Sequence, residues 1–252
     1  MTKRVLVFIF GLTAYVMFLA SFVYAIGFIG NIGVPQAIDG VPVLPTLTAV
    51  LNNLGLLAIF SVQHSLMARP FFKRWLTNWI PEAAERSVYV LSSSLALFLL
   101  FWAWQPLGGL IWEVHSETGQ LISYVIFAAG WLTVLGSTFA INHFDLFGLR
   151  QIWLYSRGIN YTPLAFKIPL PYKFVRHPLY VGWLLAFWAT PTMTVSHLLF
   201  SVATTLYILL AIKFEEKDLS TQFGQEYELY RKSVPMIIPR LSTKPSRSTC
   251  ET

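Results

Sequence analysis

Arg176-His177-Pro178-Leu179-Tyr180-Val181-Gly182 opens the last apolar block of the chain, and Thr190-Pro191-Thr192 interrupts that block before it ends at Ile212. Proline lacks the backbone donor and clashes with the preceding turn, so no regular helix runs straight through Pro191. The block divides into two arms, Leu179–Ala189 and Val195–Ile212. The first arm is at the short limit for crossing a bilayer core. A helical hairpin and one long kinked helix are the two readings. Lys213-Phe214-Glu215-Glu216-Lys217-Asp218 follows on the exit of the block. In the hairpin, Arg176-His177 and Glu215-Glu216 meet at one level, cations beside carboxylates.

Upstream lie four more apolar stretches, Val5–Phe28, Thr46–Met67, Val88–Trp104 and Gln120–Ile141. Each is close to the length that spans a membrane. The chain is 55% hydrophobic and only 12% charged, against about 25% charged in soluble domains. The first stretch, which follows Lys3-Arg4, is too long for a signal peptide and is read as a retained helix. The predicted fold is an all-α polytopic membrane protein with about five transmembrane segments. Its last segment is the Pro-broken hairpin, followed by a C-terminal region at the cytoplasmic face, for which the family resemblance given below implies cofactor binding.

Charge sets the orientation. All 18 Lys and Arg fall in the N-terminal tail, in the connections after the second and fourth stretches, and after the last block. The intervening loops, Ile29–Pro45 and Gln105–Gly119, contain none. Placing the basic side inside puts both termini in the cytoplasm. It also favours the hairpin, because both of its ends are then cytoplasmic. The net charge of +6 therefore signals topology and a lipid bilayer as partner, with no nucleic acid, since no soluble basic face exists. Cys250 is the sole cysteine and lies in a polar tail. This excludes a disulfide framework, and no Cys/His spacing suggests a metal. The sequence carries no signal for oligomeric state.

Four regions are expected: a transmembrane region 1–141, a cytoplasmic loop or lid 142–175, a cofactor-binding core 176–240 and a disordered tail 241–252. Pro163, Pro169 and Pro171 prevent the connection 142–175 from being one helix, and its many aromatic residues argue against disorder. It is expected to fold back over the membrane face. Trp102 and Trp104 read as an interfacial aromatic belt, and Glu85-Arg86 as a local ion pair with positive-inside charge. Tyr227 and Tyr230, three residues apart, share a helix face.

Charges at membrane level are costly unless they are paired or face a wet cavity. Arg176 and His177 offer donors to a carboxylate or phosphate, and Glu215 and Glu216 offer acceptors to an ammonium or to ribose hydroxyls. Tyr180, Tyr227 and Tyr230 offer an aromatic wall. Gly182 permits close approach of a ligand or a neighbouring helix. The alternative reading of all these residues is interfacial anchoring.

Arg176-His177-Pro178-x-Tyr180-x-Gly182, then Glu215-Glu216, Phe223-Gly224-x-x-Tyr227-x-x-Tyr230 and Val234-Pro235-x-x-x-Pro239 resemble the signature of the isoprenylcysteine carboxyl methyltransferase superfamily. The resemblance implies S-adenosyl-L-methionine as cofactor, bound by Arg176, His177, Tyr180, Gly182, Glu215, Glu216, Tyr227 and Tyr230. Related membrane reductases that use a nicotinamide cofactor end similarly. Ser61-Val62-Gln63-His64-Ser65, Glu85-Arg86-Ser87-x-Tyr89-Val90, Trp102-x-Trp104-Gln105-Pro106 and Asn142–Gln151 resemble the bacterial methanethiol S-methyltransferase branch. That branch implies a small thiol as acceptor and a bacterial cytoplasmic membrane. The alternatives are a prenylcysteine carboxyl or lipid-amine methyltransferase and an NADPH-dependent reductase.

Methyl transfer to a thiol joins an anion to a sulfonium, so a dry pocket and good positioning supply most of the rate. A thiol of high pKa gains from a base or from thiolate stabilisation. The catalytic candidates are His64 in the second span, His143 with Asp145 as an orienting pair, and Arg150. Interhelical or loop-folding hydrogen bonds are the competing reading for each. His115 and His197 stand alone and receive no role.

Overall fold

Prolines set where the helices start, because proline is favoured in the first turn, where its missing N–H has no partner to lose. In the computed structural model, which describes residues 2–165 and 167–239, Pro45 precedes α2 (Thr46–Met67) and Pro70 opens α3 (Pro70–Thr77). Pro81 precedes α4 (Glu82–Ala103), and Pro178 opens α8 (Pro178–Trp188). The other elements are α1 (Thr2–Gly30), β1 (Leu110–Glu113), α5 (Glu117–Ile141), α6 (His143–Leu146), α7 (Leu149–Arg157), β2 (Thr192–Thr194), α9 (Val195–Phe223) and α10 (Gln225–Ser233). The segment 241–252 and Cys250, expected to be a disordered tail, lie outside the described residues, as does Arg240 at the end of the expected core.

Among the described residues five helices, α1, α2, α4, α5 and α9, are long and apolar enough to cross a membrane. Only 22–33% of each apolar window is buried inside the protein. The remaining apolar surface needs lipid as its solvent, so the chain is a multi-pass membrane protein. The span expected at Val88 starts six residues earlier, at Glu82, where Pro81 and the acidic first turn (Glu82, Glu85) suit a helix N-terminus.

The hairpin forms. Its arms, α8 and α9, are separated by Ala189–Thr194. The second arm runs on to Phe223, so Glu215 and Glu216 lie inside the helix rather than on its exit. Eleven residues of α8 rise only roughly 17 Å. The extended link, at about 3.3 Å per residue, supplies the remaining height. Its strand β2 pairs antiparallel with β1 from the loop between α4 and α5. This two-stranded sheet closes the end of the bundle opposite to the Lys and Arg residues, the basic end.

The core is aromatic. Phe28, Leu100, Phe101, Trp104, Phe127, Trp131, Phe187 and Phe200 form one buried cluster. Trp104 belongs to it and not to an interfacial belt. It is fully buried and donates from Nε1 to the Ile38 carbonyl at 3.0 Å. Trp102 is 79% exposed, as a belt residue should be. The difference is helical phase, since two residues are about 200° apart.

The connection after α5 is not loop throughout. Helix α7 lies antiparallel along the first half of α1. Arg4 sits over Tyr155 at 5.9 Å, Phe8 against Trp153 at 6.2 Å, and Phe18 stacks on Phe147 at 3.8 Å. Ile152 is fully buried there. A Cβ on Gly11 would come within 2.5 Å of Ile152 Cδ1, so glycine is what lets α7 approach.

Candidate active site

At the basic end, α8 starts beside the last third of α9. Arg176 donates from Nε to Glu216 Oε1 at 2.8 Å, with Nη2 at 2.7 Å from the same oxygen. His177 Nε2 is 3.1 Å from it. Arg176 Nη1 also donates to the carbonyls of Arg231 (3.0 Å) and Val234 (2.6 Å). The backbone N–H groups of Arg176 and His177 donate to the carbonyls of Pro235 and Met236. The Arg176 guanidinium thus ties α8, α9 and the chain after α10 together. Both members of the ion pair are largely buried, at 11% and 14% side-chain exposure.

Adjacent residues on a helix point about 100° apart, and the two glutamates differ accordingly. Glu216 turns toward Arg176 and His177. Glu215 accepts a hydrogen bond from the Tyr180 hydroxyl at 2.9 Å, and its side chain is 46% exposed. Tyr227 and Tyr230 are both buried, with rings 5.8 Å apart, and Tyr230 donates to the Tyr172 carbonyl at 2.7 Å. Burial, with the Glu216 carboxylate nearby, raises the Tyr227 hydroxyl, and burial pushes Tyr230 up to about 12. Both are neutral hydroxyls at physiological pH.

Gly182 does not face this cluster. A Cβ there would lie 2.7 Å from Val134 N and 2.8 Å from the Gly130 carbonyl oxygen, and one on Gly130 would lie 2.6 Å from Ala186 N. The two glycines let α5 and α8 pack backbone to backbone. Gly182 is thus a helix-packing residue rather than a ligand contact, the second of its two sequence readings. Gly130 carried no sequence signal of its own, because a glycine in an apolar span is unremarked until its partner helix is known.

A second cluster faces Glu215 from the other half of the chain. His64 on α2 lies 2.7 Å from the Tyr89 hydroxyl through Nε2 and 3.1 Å from Ser93 Oγ through Nδ1. Its ring stacks on Phe60. Tyr207 on α9 shares a hydrogen bond with Ser65 at 3.0 Å. Tyr89 lies within electrostatic range of Glu215 and Tyr207, and Tyr180 within range of Tyr89. The His64–Tyr89 pair and the Tyr180–Glu215 pair therefore lie near one another, on residues of α2, α4, α8 and α9. Tyr89 was missed in the sequence, where it read only as part of a branch motif.

An open cleft of about 480 Å³ lies on a different face of α9, lined by Lys213, Glu216, Lys217, Ser220, Thr221, Glu228 and Arg231. Its size suits a small molecule, and its mix of cations and carboxylates suits a zwitterion. It is open to solvent, as is the half-exposed Glu215 side chain. Glu216 is common to the cleft and the ion-pair cluster.

The remaining candidates stand elsewhere. His143 and Asp145 do not pair. His143 is buried between Thr138 Oγ1 and the Tyr15 hydroxyl, each at 2.8 Å, and stacks on Phe139 at 4.2 Å. Asp145 instead pairs with Arg150 at 2.9 Å and accepts from Tyr161 at 3.2 Å. Arg150 also donates to the Thr162 carbonyl. A two-residue separation in the first turn after α5 points the side chains apart, which spacing alone did not reveal. The expected Glu85–Arg86 ion pair is absent among the described residues; consecutive helical positions diverge too far.

Burial lowers the pKa of His143. The unfolded chain then binds this proton first, near the ordinary value of about 6.5. Stability from this site is fully present above about pH 6.5 and is lost as pH falls below it. Thermal unfolding between pH 7.5 and 5 is expected to show this loss. His143→Gln is expected to flatten the dependence, and an unchanged slope in that variant would remove His143 as its cause.

The phospholipid methyltransferase family profile matches residues 120–226. Over 242 residues the chain is 55% identical to a methanethiol S-methyltransferase of Crocosphaera subtropica, covering 96% of this chain and 95% of that protein. It is 49% identical to a methanethiol S-methyltransferase of Mycobacterium tuberculosis, covering 94% and 97%. It is 48% identical to methanethiol S-methyltransferase 2 of Bradyrhizobium diazoefficiens, covering 96% and 93%. No solved structure matches the chain.

Proposed function

Because the chain belongs to the methanethiol S-methyltransferase family, we propose that it transfers a methyl group from S-adenosylmethionine to methanethiol, giving dimethyl sulfide. What carries this reading is the extent of the likeness. It runs through the half of the chain that holds His64 as well as the half that holds Glu215 and Glu216. The donor set fits the cofactor: a half-exposed carboxylate at Glu215, buried neutral tyrosines, and the Arg176–His177–Glu216 cluster.

S-adenosylmethionine, when bound, supplies an electrophilic methyl group on a sulfonium. Glu215 and the Tyr180 hydroxyl are placed to hold an ammonium or ribose hydroxyls. Arg176, His177 and Glu216 hold the α8–α9 junction in register, and Tyr227 and Tyr230 back it. His64 and Tyr89, between α2 and α4, border the acceptor side. His64 and Tyr89 are only part-buried, and a site that becomes dry when both substrates fill it favours a reaction that neutralises opposite charges. His143 fixes α6 against Tyr15 of α1, and Asp145 and Arg150 tie α6 and α7 to Tyr161 and Thr162, rather than meeting the substrates. In our reading residues 1–141 form the transmembrane region and 142–175 a wall of the acceptor side. Residues 176–240 form the cofactor core, with the tail 241–252 beyond it. The basic end faces the cytoplasm of a bacterial cell, with both termini inside, supported by the confinement of all 18 Lys and Arg to that side.

Purified protein supplied with S-adenosylmethionine and methanethiol is expected to form dimethyl sulfide, read by gas chromatography. Folded protein that binds S-adenosylhomocysteine and yet forms none would sink the acceptor assignment. Glu215→Gln is expected to weaken S-adenosylhomocysteine binding about ten-fold, the loss of one charge-assisted hydrogen bond. Wild-type affinity in that variant would move the cofactor away from Glu215.

A further inference from the structure

Four of the eight described arginines pair with carboxylates: Arg69 with Asp218, Arg150 with Asp145, Arg176 with Glu216, Arg231 with Glu228, while Arg4 and Arg157 lie over the Tyr155 and Trp153 rings. Arg86, in the second turn of α4, has no carboxylate partner among the described residues. Its Nε is buried with no hydrogen-bond acceptor. A buried donor without an acceptor is rare in folded proteins and points to a ligand or to water. If Arg86 were only a topology signal, its head would reach the headgroup region. Instead its stem is covered by the start of α7. Gly148 stands there at φ 85°, and a Cβ on it would lie 3.2 Å from Arg86 Cγ and 3.2 Å from Ser87 N. Glycine at this position lets backbone close over the arginine.

The guanidinium lies beside Tyr89, which borders the acceptor side in the reading above. Arg86 Cζ lies 5.9 Å from the centre of the Tyr89 ring. The Tyr89 hydroxyl is held by His64, and His64 by Ser93. The charged or titratable groups in electrostatic range of Arg86 are Lys73 on α3, Tyr89 on its own helix and Tyr161 after α7, with Glu85 beside it in sequence; Glu215 and Tyr207 on α9 are in range of Tyr89. Glu215 is bonded to Tyr180, Tyr161 to Asp145, and Asp145 to Arg150. Lys73 and Glu85 offset one another. The Arg86 charge remains for an anion.

We infer that Arg86 stabilises the acceptor sulfur as its thiolate, with Tyr89 and His64 as positioning residues that fix where the sulfur sits. This rests on the thiol methyltransferase reading above. The S–H bond breaks heterolytically and its proton leaves to water at the basic end. The thiolate lone pair forms the new S–CH3 bond. The C–S bond of the sulfonium breaks, its electron pair staying on the departing sulfur. An anion and a cation become two neutral sulfides, so charge balances without an added base. A cation within several ångströms lowers a thiol's pKa by one to three units, on the order of other opposite-charge effects.

The test is a series of small thiols of graded acidity. Arg86→Met keeps an apolar stem under Gly148 and removes the charge. Its kcat/KM for methanethiol is expected to fall about 10- to 100-fold near neutral pH, with the KM for S-adenosylmethionine changed less than about two-fold. The deficit should shrink as the thiol becomes more acidic, and Arg86→Lys should recover part of the rate. An equal deficit for every thiol, or no deficit, would overturn the inference. A second measurement needs no variant. The wild-type pH profile of kcat/KM should have its acid limb at least about one unit below the free thiol's own pKa, and a limb at that pKa overturns it. Wild-type protein inactive toward every thiol would instead sink the parent reading.

Discussion

Arg176→Ala is expected to cost about 3–5 kcal/mol of stability, the usual penalty for removing one partner of a buried ion pair, and to abolish tight S-adenosylhomocysteine binding. One guanidinium makes contacts to three parts of the chain: Glu216 on α9 and the carbonyls of Arg231 and Val234 at and beyond the end of α10. Alanine leaves the Glu216 carboxylate with His177 as its remaining close donor. It also strips two carbonyls of their donor. Lysine restores charge but not the planar fork that bridges three acceptors, so Arg176→Lys should recover little. Thermal unfolding in detergent is the measurement, with a drop on the order of 10 °C expected. A melting temperature and a ligand affinity equal to wild type would show that the latch is not what holds the α8–α9 junction.

Gly182→Leu carries the second large effect. The α5–α8 contact is backbone on backbone, with the Gly130 carbonyl oxygen and Val134 N both under 3 Å from a Cβ at position 182. No rotamer avoids a clash with main chain. The helices must separate, and overpacking of this kind costs about 3 kcal/mol. Displacing α8 also shifts Tyr180 away from Glu215, so cofactor affinity should fall together with stability. The symmetric replacement Gly130→Leu should behave alike. Gly136, whose added Cβ meets nothing within 4 Å, is the control and should tolerate alanine. A stable Gly182→Leu protein would mean that α8 is not locked to α5 by this contact.

The membrane architecture was legible in the residues because bilayer thickness sets a length that apolar stretches must meet. Thr46–Met67 was bounded to the residue, and Pro191 announced the hairpin through its missing donor. The pairing of Arg176 with Glu216 followed from the hairpin, since antiparallel arms put equal levels together. Other readings failed where a partner had to be chosen across long separations. His143 meets Tyr15, 128 residues away, rather than Asp145, two residues away. Trp104 turns inward while Trp102 turns to lipid. Arg86 has a neighbouring glutamate in sequence and no carboxylate partner among the described residues.

By itself, then, the sequence determined what the bilayer and local sterics dictate: five long apolar stretches, a broken last block, one basic end, and a run of residues with the chemistry of a cofactor site. Those features depend on hydropathy, charge sign and proline geometry, which act over a few residues. Which glutamate is internal and which is half-exposed, which glycine serves packing, and which cations pair with carboxylates were decided only when the helices packed. Rotation about a helix axis changes partners by about 100° per residue, and the partner helices come from distant parts of the chain. At Arg176–Gly182 the sequence supplied a cation, a hydroxyl and a glycine. Tertiary structure made the first a latch, placed the second beside Glu215, and gave the third to α5.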